Sequence, residues 1–279
     1  MRHNLSSLLA GTTLLLLSAC SAKPKPETPV AISTVTIDAH EFAFGMPSTI
    51  PAGVTRIQVV NTGTLLHHVQ LMKLSGGHKA DELAKAFAGG PPPDWATPVG
   101  GPNGVEPGDT TKVIQTLEPG TYAAICFIPI PDVPHFAKGM VTGFEVVAAT
   151  GATAAEPASD FTIRMSDYAF SVPAPIAGGQ RIVRVENAGP QEHELVLARL
   201  AEGKTLADLM AWAGGTTFTA PPPAKFVGGV VGMLPDTHVF LDVNLTPGNY
   251  VLLCFVPDAK DGKPHLAHGM ISEFQVPGA

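Results

Sequence analysis

The sequence predicts an all-β protein made of two tandem β-sandwiches, each with one short helical insertion. Glycine and proline are abundant, with 29 Gly and 27 Pro among 279 residues, and this suits many turns between short strands better than long helices. Short runs of alternating apolar and polar residues lie between these turn residues. The same order of motifs occurs twice along the chain, so the length divides into two similar units.

The N-terminal twenty residues predict an export signal. Arg2 precedes an apolar run that ends in the motif LSAC, whose last residue is Cys20, and this motif resembles the lipobox of bacterial lipoproteins. We therefore expect removal of residues 1–19 as a signal peptide and lipidation of Cys20, which would anchor the protein to a bilayer. An ordinary secretory signal with an incidental cysteine is the alternative. Residues 20–33 are rich in proline and small polar residues, and we expect a lipid-anchored flexible tether there.

The remainder of the chain is an internal repeat. Residues from Thr36 onwards match those from Thr162 onwards at an offset of 126, and the offset later grows to 128 and then 130, as small loop insertions would cause. A second stretch of small residues, 148–159, separates the halves. We therefore expect one domain at 34–147, a linker at 148–159 and a second domain at 160–279.

Each copy is predicted to contain strands and one helix. In the first copy the alternating runs predict strands at 35–37, 55–60, 68–74, 111–116, 121–127 and 142–147. Leu83 and Phe87 lie four residues apart in a helical pattern at 79–88, and a similar apolar face occurs at 204–213. We expect these helices to pack on the sandwiches by their apolar faces.

Composition excludes two classes of protein. The hydrophobic fraction of 45% argues against a disordered chain. The formal net charge is −7, and the 17 Lys and Arg residues are scattered rather than clustered, so the basic surface that binds nucleic acid is missing.

Beyond Cys20, the chain has one cysteine in each copy, Cys126 and Cys254. An interdomain disulfide is one interpretation, because an exported chain meets an oxidising compartment. A bridge would require these equivalent positions to face each other across the two domains at a Cα separation of about 4.4 to 6.8 Å. A disulfide would also leave unexplained why His and then Met follow each cysteine at similar intervals.

A metal site explains the pattern better. The loops read Cys-x8-His-x4-Met and Cys-x10-His-x4-Met, and each copy has a further histidine on an earlier strand. One thiolate, two imidazoles and one thioether form the ligand set of type 1 copper, whereas a thioether is a poor ligand for zinc. The predicted ligands of one copper ion per domain are His67, Cys126, His135 and Met140 in the first copy and His193, Cys254, His265 and Met270 in the second.

Two neighbouring histidines compete for one ligand position. His67 matches His193 in the repeat, whereas His68 matches Glu194, so we assign His67 as the ligand. Because adjacent residues of a strand point to opposite faces, we expect His68 to lie outward or at the rim.

These motifs resemble those of the cupredoxins, the fold of plastocyanin and azurin. The resemblance rests on Asn61-x-Gly63 before the first ligand, on Gly120-x-Tyr122 in the strand before Cys126, on the Cys-His-Met loop, and on the equivalents of all three in the second half. It implies two Greek-key sandwiches, each with a type 1 copper site that transfers electrons. The second loop is longer than the family pattern. His68 and Glu194 stand where family members often have Asn, so the hydrogen bond of that Asn must be replaced.

The resemblance also shapes the expected function. Family loop histidines sit near the surface, so His135 and His265 are the expected electron ports toward a redox partner such as a cytochrome or a membrane oxidoreductase. Ile125 and Leu253 stand where a further open copper centre would require histidine, and no His-x-His pair occurs, so we expect no enzyme. We expect an exported lipoprotein that faces the periplasm or the cell surface. A copper-trafficking lipoprotein without redox turnover and a pair of domains with one occupied site are the alternatives.

Overall fold

The structure, a computed structural model, describes residues 29–89, 92–130, 132–213 and 222–278. The predicted signal peptide, Cys20 and most of the predicted tether lie outside the described residues. Within the described ranges, no helix is both long enough and apolar enough to cross a bilayer.

Nine strands and one helix form the first half of the chain, here called domain 1. They are β1 (Ser33–His40), β2 (Ala43–Gly45), β3 (Thr49–Pro51), β4 (Gly53–Asn61), β5 (Gln70–Leu74), α1 (Ala80–Gly89), β6 (Ala96–Pro98), β7 (Thr110–Leu117), β8 (Gly120–Ile125) and β9 (Val141–Val147).

The second half, here called domain 2, repeats this plan. It consists of β10 (Phe161–Ser166), β11 (Ala169–Ser171), β12 (Gly179–Asn187), β13 (His193–Leu200), α2 (Leu206–Ala213), β14 (Ala224–Met233), β15 (His238–Leu245), β16 (Gly248–Leu253) and β17 (Ile271–Val276).

The strands form three sheets. The first sheet runs through both domains in the order β11-β10-β12-β15-β7-β4-β1-β2. Domain 1 adds the sheet β3-β9-β8-β5-β6, and domain 2 adds β14-β13-β16-β17. β1 lies parallel to β4, which pairs antiparallel with β7, so neighbouring strands are distant in sequence, as in a Greek-key sandwich.

The alternation of buried and exposed side chains along the strands shows where the core lies. Buried and more exposed side chains alternate along β1, β4 and β12, so each strand turns one face inward. A continuous apolar cluster includes inward residues of both domains, among them Ile37, Ile57, Val113 and Leu241. The predicted all-β fold of two Greek-key sandwiches with short helical insertions is confirmed.

The structure differs from the predicted elements in detail. β2, β3 and β6 are not among the predicted strands, because three residues are too few to show an alternating pattern. β8 ends at Ile125, so Cys126 lies just beyond the strand rather than within it.

The two domains join through equivalent residues. β7 pairs with β15, and the register sets Val113 opposite Leu241, which are equivalent at the offset of 128. The segment before β7 pairs with β14 in the same manner, with Pro102 opposite its equivalent Val230. Contacts between equivalent residues indicate a self-complementary interface of the kind found in two-fold symmetric dimers.

Candidate metal centres

Each cysteine loop is fixed by its own backbone. Cys126 follows β8, and its N–H donates to the carbonyl of Met140 at 3.2 Å, while Phe136 donates to the carbonyl of Cys126 at 2.9 Å. A single 3-10 turn runs from His135 to Lys138 and ends at Gly139, whose φ of 104° is in the left-handed region that favours glycine. This turn brings a histidine and a methionine of the same loop back to the end of β8.

Domain 2 builds its loop in the same way. Leu266 donates to the carbonyl of Cys254 at 2.8 Å, and the 3-10 turn His265–His268 ends at Gly269 with φ of 95°. Met270 donates to the carbonyl of His265 at 3.1 Å. The two additional residues of this loop therefore do not alter its closure.

Three predicted ligands meet in domain 1. His67 and His135 face each other with their Nδ1 atoms 3.1 Å apart, and Cys126 Sγ lies 3.5 Å from His135 Nδ1. The three residues are inaccessible to solvent, and their potential ligand atoms all lie within 4.8 Å of one another. Met140, the predicted fourth ligand, is also fully buried at the end of the same loop.

Domain 2 repeats this cluster. His193 Nδ1 lies 3.0 Å from His265 Nδ1, and Cys254 Sγ lies 3.5 Å from His265 Nδ1. Met270 is buried to the same extent as Met140. Cys126 and Cys254 are both free thiols, so the interdomain disulfide is excluded.

An acidic residue contacts the outer nitrogen of each strand histidine. Asp167 Oδ1 lies 2.8 Å from His193 Nε2, and its equivalent Glu41 lies 3.6 Å from His67 Nε2. A carboxylate at the outer nitrogen orients the ring and leaves Nδ1 to face the metal site. Sequence reasoning missed both acids, although the repeat aligns Glu41 with Asp167.

The Asn-x-Gly motif supports the first histidine. The side chain of Asn61 donates to the carbonyls of Leu65 and Val105 at 2.7 and 2.8 Å and accepts from Gly63 N–H at 2.9 Å. A Cβ atom at Gly63 would lie 2.5 Å from Glu41 Oε1. Glycine is needed here because the carboxylate approaches the backbone closely.

His68 and Glu194 replace the hydrogen bond that the family pattern assigns to Asn. His68 Nε2 accepts from Phe127 N–H at 2.8 Å, and Glu194 Oε1 accepts from Phe255 N–H at 2.9 Å. Each thus holds the residue that follows a cysteine. The expectation that His68 lies outward or at the rim is wrong, because its side chain is buried and only 8% of it is exposed.

Aromatic rings cover the loop histidines. The Phe42 ring packs edge-on against His135 at a centroid distance of 5.1 Å, and Tyr168 packs similarly against His265 at 5.2 Å. Both histidines are fully buried, so the expectation that they lie near the surface as electron ports needs correction: an aromatic ring covers each of them. The covering rings belong to the turns after β1 and β10, which no motif of the sequence connected with the loops.

Burial sets the protonation of the metal-free ligands. It raises the pKa of Cys126 to about 12 and raises that of Cys254 as well. It lowers the pKa of His135 to about 4 and also lowers the pKa of the other cluster histidines. Neutral imidazoles and a buried thiol suit a soft or borderline cation, which would supply the charge that a buried thiolate requires.

The chain was compared with family models, with curated proteins and with solved structures, and the solved structures gave matches. No family model matches the sequence, and no curated protein matches it either. Auracyanin from the photosynthetic bacterium Roseiflexus castenholzii is 24% identical, with 42% of this chain and 99% of that chain covered and a TM-score of 0.31. Blue copper oxidase from Nitrosomonas europaea is 15% identical, with 88% and 86% covered and a TM-score of 0.25. Copper nitrite reductase from the same organism is 12% identical, with 89% and 95% covered and a TM-score of 0.27.

These comparisons correct one expectation. The exclusion of an enzyme is contradicted, because an oxidase and a nitrite reductase are among the solved structures similar to this chain. The exclusion rested on missing motifs, among them a histidine before Cys126 or Cys254, a His-x-His pair and a repeated cluster of the remaining histidines. Missing motifs of one type do not exclude catalysis.

The conclusion about the fold and the candidate metal sites rests on the strand topology and the Cys/His/His clusters of the chain itself. Each domain has one buried group of a cysteine and two histidines that could hold a metal ion. The chain is a two-domain, cupredoxin-like protein with one buried Cys/His/His cluster in each domain.

Proposed function

We propose that this chain is an exported, membrane-anchored copper protein that transfers electrons through two type 1 copper sites, one per domain. The observation that carries the proposal is the repeated buried cluster, in which a thiol and two inward-facing Nδ1 atoms lie within 4.8 Å of one another at the same place in both sandwiches. Copper would be held by His67, Cys126, His135 and Met140 and by His193, Cys254, His265 and Met270. When bound, it supplies a centre that alternates between Cu(II) and Cu(I).

The protein's part in electron transfer is to limit rearrangement. Backbone hydrogen bonds close both cysteine loops, and a hydrogen bond to Asp167 fixes the outer nitrogen of His193, while the Glu41 carboxylate lies 3.6 Å from that of His67. Phe42 and Tyr168 exclude water from the loop histidines. A rigid, dry ligand set changes little when the charge at its centre changes, and a small rearrangement favours fast electron transfer.

The path for electrons follows from the covered histidines. Phe42 and Tyr168 lie between the loop histidines and the outside, so a redox partner such as a cytochrome or a membrane oxidoreductase would dock over these rings. Lys138 Nζ lies over the Phe42 ring at 4.8 Å and His268 stacks on the Tyr168 ring at 4.8 Å, so a partner would meet polar groups together with the two rings. A brief encounter over this small surface suffices, because transient redox complexes bury little surface.

The anchoring part of the proposal rests on the N-terminal sequence. Residues 1–19 have the pattern of a signal peptide, Cys20 ends a lipobox-like motif, and residues 20–33 have the composition of a tether. The two domains, at 34–147 and 160–279 with the linker 148–159 between them, would then face the periplasm or the cell surface.

Single cysteine substitutions test the copper sites. Cys126→Ser and Cys254→Ser should each bind one copper ion fewer than the wild type and keep part of the intense blue absorption of Cu(II). The double variant should lose the absorption completely, because the thiolate produces it. The measurements are copper quantification and visible spectroscopy with a reductive titration.

Cys20→Ser is the matched control, since it removes the third cysteine. It should keep both copper ions and the absorption but lose its association with the membrane fraction. Wild-type protein that binds only colourless Cu(I), shows no reversible redox change and releases the ion readily to an acceptor would contradict electron transfer and indicate copper trafficking.

A further inference from the structure

A chain of buried polar side chains connects the two cysteine loops across the domain interface. We call His68, Asn103 and Glu194 the interdomain bridge. His68 lies beside Asn103, and Asn103 Nδ2 donates to Glu194 Oε2 at 3.0 Å. At its two ends the bridge accepts the N–H groups of Phe127 and Phe255. All three bridge residues are at least nine-tenths buried.

The direction of each hydrogen bond in the bridge is determined by its ends. A backbone N–H can only donate, so His68 Nε2 carries no proton and the neutral ring has its proton on Nδ1, which can donate toward the neighbouring Asn103. The amide of Asn103 then donates onward to Glu194. Glu194 also faces a backbone donor, so it must accept at both ends, which a carboxylate can do.

These hydrogen bonds explain why the two copies of the repeat have different residues at the position after the first histidine ligand. His68 and Glu194 are equivalent in the two copies, yet they differ in side chain. A second neutral histidine at 194 would have only one unprotonated nitrogen, which could not accept from both Asn103 and Phe255. Two backbone donors joined by one chain of hydrogen bonds require one residue that accepts twice, and Glu194 fills that role.

We infer that the interdomain bridge couples the two metal centres, so that metal binding in one domain changes the cysteine loop of the other. The inference rests on the proposed copper sites. Metal binding replaces the thiol proton of Cys126, and that proton leaves to solvent. Cu(I) in place of the proton leaves the net charge of the site unchanged, but a metal-bound thiolate distributes this charge differently from a thiol. The difference polarises the adjoining Phe127 N–H, and buried hydrogen bonds polarise one another along a chain. Glu194 receives the change, and its own backbone N–H lies 3.4 Å from Cys254 Sγ. The coupling must act equally in the reverse direction.

The test uses a chain in which only one site can be filled. Full-length Cys254→Ser protein labelled with ¹⁵N is titrated without oxygen with one equivalent of Cu(I), which is diamagnetic. The Phe255 amide resonance, in the domain without the metal, should shift as Cu(I) binds in domain 1. In the reciprocal experiment, Cys126→Ser protein should show a shift at Phe127 as Cu(I) binds in domain 2.

Asn103→Leu, added to the Cys254→Ser chain, should abolish the Phe255 shift while Cu(I) still binds. The matched control is Gln70→Met in the same chain. Gln70 is also a buried amide of the interface, and its Nε2 donates to the carbonyls of Leu71, Gly100 and Gly232, none of which belongs to the bridge. The shift should persist in this control, which separates loss of the bridge from a loosened interface.

Glu194→Gln provides a second variant in case Asn103→Leu does not fold. It keeps the volume but has only one acceptor oxygen, so one hydrogen bond of the bridge must break, and the shift should again be lost. Binding of Cu(I) without a Phe255 shift, or a shift that survives the bridge variants, would overturn the coupling alone. Failure of Cys254→Ser protein to bind Cu(I) would instead count against the proposed copper sites.

Discussion

At the scale of single residues, the plan that the two sites share depends on close approaches that only small side chains permit. Gly63 and Gly189 occupy equivalent places in the two Asn-x-Gly motifs. A Cβ atom at Gly189 would lie 2.6 Å from His193 Nε2, and one at Gly63 would lie 2.5 Å from the carboxylate of Glu41. Both contacts are shorter than atoms tolerate, so a methyl group there must displace the histidine or its acidic partner.

Gly63→Ala and Gly189→Ala should therefore weaken copper binding in their own domain and leave the other site unchanged. In Gly189→Ala, where the buried His193 ring must move, the steric strain should also lower the free energy of unfolding by about 1–3 kcal/mol. In Gly63→Ala this loss should be smaller, because the end of the Glu41 side chain can move aside. Chelator competition for Cu(I) and urea unfolding measure the two effects. Gly151→Ala is the control, because a Cβ atom there meets nothing within 4 Å, and it should match the wild type. Equal affinities in all three variants would show that the glycines do not serve the sites.

At the scale of elements, each penultimate strand carries a tyrosine that ties down the preceding turn. Tyr122 donates its hydroxyl hydrogen to the carbonyl of Glu118 at 2.9 Å, and Tyr250 donates to the carbonyl of Thr246 at 2.9 Å. This arrangement is the tyrosine corner of Greek-key sandwiches. It fixes the start of the strand that ends at the cysteine, so the Gly-x-Tyr motif helps to position the ligand loop.

The two helices act as covers of the second sheets. Leu83 of α1 is fully buried in a cluster with Met72 and Ile125, and Leu209 of α2 is buried with Val196 and Leu253. Among the described residues, neither helix supplies a member of the two Cys/His/His groups. Their contribution is apolar burial on the outer face of strands that lead to the sites.

Leu83→Ala and Leu209→Ala should each lower the free energy of unfolding by about 2–5 kcal/mol, because each leaves a cavity in a buried cluster. Copper content in the absence of denaturant should stay at the wild-type value. Urea unfolding and copper quantification check the two parts. Lys85→Ala, on the exposed side of α1, should change stability by less than about 0.5 kcal/mol. Loss of stability in Lys85→Ala as large as in Leu83→Ala would contradict the assigned faces.

At the scale of the whole molecule, the first sheet makes the two domains one structure. Its β7–β15 pairing lies at the centre of the eight strands, and Arg56 of domain 1 donates to Asp242 of domain 2 at 2.8 Å. The segment that carries Asn103 adds a second ladder against β14, with Asn103 N–H donating to the carbonyl of Gly229 at 3.2 Å. Opening the interface would expose both ladders and their apolar residues at once.

We therefore expect the domains to unfold together. Domain 1 contains Trp95 and domain 2 contains Trp212, so Trp212→Phe and Trp95→Phe leave a fluorescent reporter in one domain at a time. The urea transitions of the two variants should coincide once each is corrected for its own stability by circular dichroism. Two separated transitions, each seen by one tryptophan, would show that the domains are independent.

The sequence alone predicts a large part of this molecule. Alternation along strands, the repeat and the spacing of Cys126, His135 and Met140 depend on residues close in the chain, so local patterns reveal them. The upstream histidines are found because the repeat pairs His67 with His193. The Asn-x-Gly and Gly-x-Tyr motifs are likewise visible before their contacts are known.

Other features depend on residues that are far apart in sequence. Tertiary structure alone decided that His68 is buried, that Glu194 accepts from Phe255, and that Phe42 covers His135. Each of these contacts forms only after strands or whole domains have packed, and no periodic pattern encodes which distant partner a side chain meets. The sequence by itself determined which residues can hold metal, and domain packing decided what surrounds the metal sites and how Asn103 joins them.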